Sequence, residues 1–167
     1  MGWDESRQFD SPHGDLSIEA FRVRHWGARM RSDVHRGFNG YVLERQGRRI
    51  CITGDTAQTS FTAVGRASTD VMVVPIGAYN PWIASHCTPE QAVEMANQAR
   101  ARFVVPVHHQ TFRLSWEPMD EPIQRFRRAL PMARLALSDV GETFVLPCTP
   151  PLARPSGSPV ETTLVGR

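Results

Sequence analysis

Asp70-Val71-Met72-Val73-Val74-Pro75-Ile76-Gly77, then Thr88-Pro89-Glu90-Gln91-Ala92, then Phe103-Val104-Val105-Pro106-Val107 is the stretch that decides the fold. The first run is apolar on both alternating faces, as in a central strand covered from both sides. Thr88 is a good N-cap, Pro89 suits the first helical position and Gln91 sits where a capping box needs it. Ala92, Val93, Ala96 and Ala99 then recur at helical spacing. Phe103–Val107 closes a strand–helix–strand unit, which predicts two parallel strands joined by a right-handed crossover.

Working outward, Leu16–Arg24 alternates apolar and polar residues and reads as a half-buried strand that runs into His25-Trp26. Phe38–Glu44 and Arg49–Thr53 flank Arg45-Gln46-Gly47-Arg48, a hairpin with glycine in the turn. Arg29–Gly37 reads as a loop, and residues 1–15 as an N-terminal loop. A second helix is expected near Pro122, with Ile123, Phe126 and Leu130 on one face, and a last edge strand at Thr143–Leu146. Five prolines from Pro147 onward predict a Pro-rich, disordered tail over 148–167, leaving 16–147 as the folded domain. The expected architecture is α/β (α+β), a mixed sheet with helices on one face.

Composition excludes several classes. The chain is 41% hydrophobic and 22% charged over 167 residues, an ordinary globular balance. A net charge of +2 with no basic block interleaved with aromatics argues against nucleic acid. The longest apolar stretch, near Val71–Ala78, is far short of the ~20 residues that span a bilayer. Met1–Ser6 is acidic and polar, unlike a signal peptide. Cys51, Cys87 and Cys148 are widely spaced with no C-x-x-C, so they read as reduced thiols in a cytoplasmic protein.

The polar residues at strand ends carry the chemistry. Asp55 follows the run Arg49–Thr53 in the turn Gly54-Asp55-Thr56. A carboxylate at a buried strand end is hydrogen-bonded, paired or metal-bound, since burying it bare is costly; capping its own turn is the plainer alternative. His108-His109 follow a buried strand, so only one of them faces the cleft. His25 and His86 are each a loop histidine or a functional one. His86 stands two residues before the Thr88 helix start, where free N–H groups favour anions, and it could donate a proton to a leaving group. Tyr79, Trp82, Phe112 and Trp116 either line a substrate pocket or simply pack.

Taken in order, five segments resemble the second half of the metallo-β-lactamase fold. They are Val23-Arg24-His25-Trp26, Ile52-Thr53-Gly54-Asp55-Thr56, Val74-Pro75-Ile76-Gly77-Ala78-Tyr79, His86-Cys87-Thr88-Pro89-Glu90-Gln91-Ala92 and Val107-His108-His109-Gln110-Thr111-Phe112. The similarity is to the branch that includes N-acyl-phosphatidylethanolamine-hydrolysing phospholipase D and related bacterial metal-dependent hydrolases. It implies the C-terminal half of an αββα sandwich. It also implies that His25, Asp55 and His108 ligate one or two zinc ions, Asp55 bridging them and His109 being the alternative to His108. His86 is implied to lie at the substrate phosphate as a catalytic residue. The implied substrate is a small-molecule or lipid-like phosphodiester.

The chain departs from the family by lacking the His-x-His-x-Asp-His motif of the first half, and His13-Gly14-Asp15 does not replace it. The expectation is therefore a truncated product whose metal site is weak, with one sheet face left apolar and inviting self-association or a partner. Two alternatives stand beside the phosphodiesterase. One is a non-catalytic half-domain that binds a partner or itself. The other is a lactonase or amide hydrolase of the same superfamily.

Overall fold

The structure, a computed structural model, describes residues 1–26, 37–137 and 139–147. The expected Arg29–Gly37 loop (apart from Gly37) and the proline-rich tail over 148–167 lie outside the described residues.

Six strands form one sheet in chain order: β1 (Ser6–Phe9), β2 (Leu16–Arg22), β3 (Asn39–Arg45), β4 (Arg48–Ile52), β5 (Thr69–Pro75) and β6 (Ala101–Val107). The first four pair antiparallel, and β4–β5 and β5–β6 are parallel. The mixed sheet follows from the connections. The β3–β4 turn is two residues, Gln46 and Gly47, both with positive φ as a tight hairpin needs. The β5–β6 crossover carries helix α1 (Pro89–Gln98).

The α1 start behaves as its sequence dictates. The Thr88 hydroxyl accepts the Gln91 amide at 3.3 Å, and the Gln91 side chain accepts the Thr88 amide at 3.0 Å. Helix α2 (Glu121–Ala129) follows β6, and buries Ile123 and Phe126. Both helices pack on one side of the sheet. There Val42, Cys51, Met72, Val74 and Val104 meet Ala92, Val93, Met95, Ala96, Ile123, Phe126 and Leu130 in a buried core.

Among the described residues, no helix covers the opposite face. The register aligns Ile18, Leu43, Ile50, Val71 and Phe103 in one row and Tyr41, Ile52, Val73 and Val105 in the next. Most of these side chains are only half-buried, and Ile52 is 37% exposed. The apolar face expected from the resemblance is thus present, and among the described residues it is only half-buried.

Two local expectations differ. Within 1–15, Ser6–Phe9 pairs with β2 rather than staying a loop. All four residues are exposed, so this edge strand has no apolar face for a sequence pattern to reveal. Thr143–Leu146 forms no strand. Phe144 stacks on Phe103 of β6 with ring centroids 5.0 Å apart, while the Pro147 carbonyl accepts Arg48 of β4 at 3.3 Å. The segment thus runs across the strands, where it cannot form a ladder.

Candidate metal centre

Three strand exits and one helix approach build the site. His25 lies just beyond β2, Asp55 just beyond β4, His108 directly after β6, and His86 shortly before α1. The His25 and Asp55 segments are tied together. The Thr56 hydroxyl accepts the Arg24 amide at 3.0 Å, and the Ala57 amide donates to the Arg24 carbonyl at 2.7 Å. Thr56 is fully buried, so this tie is shielded from water. Gly54 has φ +63, a left-handed turn that redirects the chain after β4 and suits glycine.

One ligand-type atom from each of His25, Asp55 and His86 lies within 4.8 Å of the other two. His108 joins them: its Nε2 is 3.5 Å from Asp55 Oδ2. The His86 ring stands between its neighbours, with centroids 5.3 Å from both His25 and His108. All four residues singled out from the sequence therefore converge at one rim. His86, matched to a substrate role by the resemblance, stands within the donor cluster itself.

His109 points elsewhere. The charges it senses are Arg127 and Asp139, and burial lowers its pKa. Of the two adjacent histidines, His108 is the one that reaches Asp55.

The electrostatics set the protonation states. The hydrogen bond with His108 holds the Asp55 carboxyl below its ordinary range, and the proximity of His108 adds to this. The same bond raises His108. His86 is lowered, first by burial and then by repulsion from His108. Asp55 is thus anionic and His86 neutral near pH 7, the states in which each offers a lone pair to a cation. His25 Nδ1 lies 2.7 Å from the Trp26 carbonyl; donating its proton there leaves Nε2 as a donor atom. The Nδ1 atoms of His86 and His108 are buried without a hydrogen-bond partner among the described residues. The donor atoms of His25, Asp55 and His86, all within 4.8 Å of one another, fit a zinc-type ion, whose protein ligands are of these kinds.

Cys51 and Cys87 take no part. Burial pushes both thiols up to about 12, and Cys87 donates to the Pro75 carbonyl. An open cleft of about 280 Å³ adjoins His25 and is lined by Arg22, Arg24, Phe38 and Thr59.

Position in the chain gave no warning of the groups that hold the 78–90 segment. The Tyr79 hydroxyl donates to Glu121 Oε1 at 2.7 Å, and the Asn80 amide donates to Glu117 Oε2 at 3.1 Å. Arg125 binds Glu90, Glu121 and the Tyr79 hydroxyl. These partners are too far apart in sequence for any periodicity to join them.

One mixed sheet gathers at its strand exits a histidine–aspartate set that could hold a metal, and residues 1–109 match the β-lactamase superfamily domain. The chain belongs to that family. An uncharacterized protein of Mycobacterium tuberculosis (strain H37Rv) is 32% identical over 136 residues, covering 77% of this chain and 36% of that protein. The N-acyl-phosphatidylethanolamine-hydrolyzing phospholipase D 1 of Caenorhabditis elegans is 29% identical over 159 residues, covering 86% of this chain and 45% of that protein. Among solved structures, the metallo hydrolase Igni18 of the archaeon Ignicoccus hospitalis aligns with a TM-score of 0.58 at 22% identity, over 77% of this chain and 52% of that one. This chain thus spans less than half the length of these two curated relatives.

Proposed function

We propose that this chain carries the metal centre of a hydrolase that cleaves phosphodiesters, with zinc as the ion. The observation behind this reading is the convergence of His25, Asp55 and His86 within 4.8 Å, with His108 at 3.5 Å from Asp55. Three protein donors is the usual number for a catalytic zinc, which keeps a further position for water. In this reading His25, Asp55 and His86 face one ion. His108, 3.5 Å from Asp55 Oδ2, would be the donor available to a second ion.

A bound zinc-type ion supplies a Lewis acid and a hydroxide at neutral pH. The protein groups do the rest. Asp55 contributes fixed negative charge, held ionised by His108. His86, neutral and buried, offers its lone pair. Arg22 and Arg24 line the cleft beside His25, and their positive charge favours an anionic substrate over a neutral lactone or amide. The likeness to the phospholipase of C. elegans points to the same class.

The test is metal titration with Zn²⁺ and turnover of a generic aryl phosphodiester, set against an aryl ester and a lactone. The wild-type chain should bind zinc, and Asp55→Asn should lose at least tenfold in affinity, the scale of outer-shell losses or more. Unchanged binding in Asp55→Asn would falsify the assignment of that carboxylate. Lactone turnover without phosphodiester turnover would move the substrate class.

A second reading is favoured by one observation, the uncovered apolar sheet face. In it the chain is a half-domain that works by associating, and it binds metal only with a complementary partner. It predicts no zinc-dependent turnover by this chain alone, and a solution mass above that of a monomer.

A further inference from the structure

The metal centre depends on where His86 sits, and His86 lies in the segment 76–88 that joins β5 to α1. The ends of that segment are fixed by the sheet and the helix. The Ile76 amide continues the β5–β6 ladder by donating to the Val107 carbonyl at 3.0 Å, and Thr88 caps α1. Between these ends the chain turns on itself, the His86 amide donating to the Trp82 carbonyl at 3.0 Å. Its outside anchors come from beyond β6. The Asn80 amide and carbonyl are both engaged, the first by Glu117 Oε2 at 3.1 Å and the second by the Trp116 amide at 2.9 Å. Glu117 is a charged side chain only 6% exposed, a costly placement unless it holds something.

Arg125 on α2 completes the arrangement. Its Nη1 donates to the Tyr79 hydroxyl at 3.1 Å and to Glu121 at 3.0 Å. Its Nε and Nη2 form a fork on Glu90 at 3.0 and 2.7 Å. Tyr79 precedes His86 and Glu90 follows it, so one guanidinium grips the chain on both sides of the histidine. A planar fork of donors fixes direction as well as distance, which a lysine ammonium cannot do.

We propose that Arg125 is a positioning residue of the metal centre: by holding Tyr79 and Glu90 at once, it sets the placement of His86 relative to His25 and Asp55. Glu117 serves the same end by tying Asn80 to the loop that follows His108. The proposal rests on the metal reading above and adds residues that touch no ion.

The experiment titrates Co²⁺ into the full chain and follows both the affinity and the visible absorption of the bound ion, with the thermal midpoint of the metal-free protein measured in parallel. The variants are Arg125→Ala, Arg125→Lys and Tyr79→Phe. Arg134→Ala is the control, since Arg134 ties Asn97 to the Ala101 carbonyl far from His86. Arg125→Ala should weaken Co²⁺ about tenfold or more and change the absorption band, the scale seen when an outer partner of a ligand is lost. Arg125→Lys should recover little of it, and Tyr79→Phe should show a smaller loss in the same direction. Arg134→Ala should lower the thermal midpoint and leave affinity and spectrum alone. If Arg125→Ala does not fold, Tyr79→Phe and Arg125→Lys decide alone. Co²⁺ binding at wild-type affinity and spectrum in these variants, or equal losses in Arg134→Ala, overturns the positioning role. Failure of the wild-type chain to bind Co²⁺ overturns the metal reading, and the positioning role with it.

Discussion

At the scale of single residues, the His108 side of the centre is fixed by how closely two strand exits approach. Gly77 follows β5 with so little room that a Cβ there would overlap the His108 carbonyl oxygen. A backbone carbonyl cannot swing aside like a side-chain tip, so any larger residue must push His108 away. Gly77→Ala should therefore destabilise the fold by about 1–3 kcal/mol, the usual cost of overpacking, and weaken metal binding at the same time. Its neighbour should respond in the opposite sense. Ala78 holds φ +61, a left-handed conformation that costs an L-residue roughly 1–2 kcal/mol. Ala78→Gly relieves that strain at the price of unfolded-state entropy. Its thermal midpoint should rise or stay level while that of Gly77→Ala falls. A differential scanning comparison of the two checks both, and a fall of equal size in each would refute the steric account. His108 itself has φ +62, and strained backbone of this kind gathers at functional sites. None of this was legible beforehand, because a glycine and an alanine after a strand look the same whether the neighbouring loop is near or far.

At the scale of elements, the parts that were legible are those whose signals are local. The apolar run of β5, the Thr88–Gln91 capping box and the hairpin glycine each act within a few residues, and each produced the element expected. Asp55 was legible for the same reason, as a carboxylate on a tight turn at a strand's end. The clasp between α1 and α2 was not, because Glu90 and Arg125 lie 35 residues apart and each reads alone as an exposed helix charge. That clasp gives a pH signature. Its hydrogen bonds to Arg125 hold the Glu90 carboxyl below its ordinary 4.5. The Glu121 carboxyl is also lowered, first by the Tyr79 hydroxyl and then by Arg125. A group whose pKa is depressed by folding adds stability that is complete above its unfolded value and fades as acid protonates the folded state. The thermal midpoint of the wild type should thus exceed that of Glu90→Gln above about pH 5, and the gap should close as pH falls below 4.5. Measuring both proteins from pH 3 to 7 isolates this pair from the other carboxylates. A gap that is constant across the range would mean that packing, not charge, joins the helices. Because Glu90 is half-exposed, added salt should narrow the gap as well.

At the scale of the molecule, the two faces of the sheet are unequal. One is sealed by α1 and α2, and the other presents Ile18, Leu43, Ile50, Ile52, Val73 and Val105 with, among the described residues, the 143–147 segment across part of it. This asymmetry was legible only through the resemblance, which implies one half of a two-sheet sandwich and so a face without its partner layer. What covers the face was not legible, because an apolar side chain carries no record of its partner. A contiguous apolar surface of this kind marks an interaction site in a soluble protein. The chain alone in solution should satisfy it by pairing, and light scattering at tens of micromolar should give a mass above the monomer. Charges placed at the centre of the face should reverse this. Ile52 is already 37% exposed, so Ile52→Lys costs little in the folded monomer, within the ±0.5 kcal/mol or so typical of surface changes. Facing a second apolar sheet, however, the same ammonium is desolvated without a partner. Ile52→Lys should therefore shift the population to monomer while leaving the thermal midpoint nearly unchanged at low concentration. If the wild type is already monodisperse and monomeric, the face is tolerated open and the half-domain reading loses its support. If the variant unfolds instead, Ile52 is held by contacts within its own chain and the face is less open than its exposure implies.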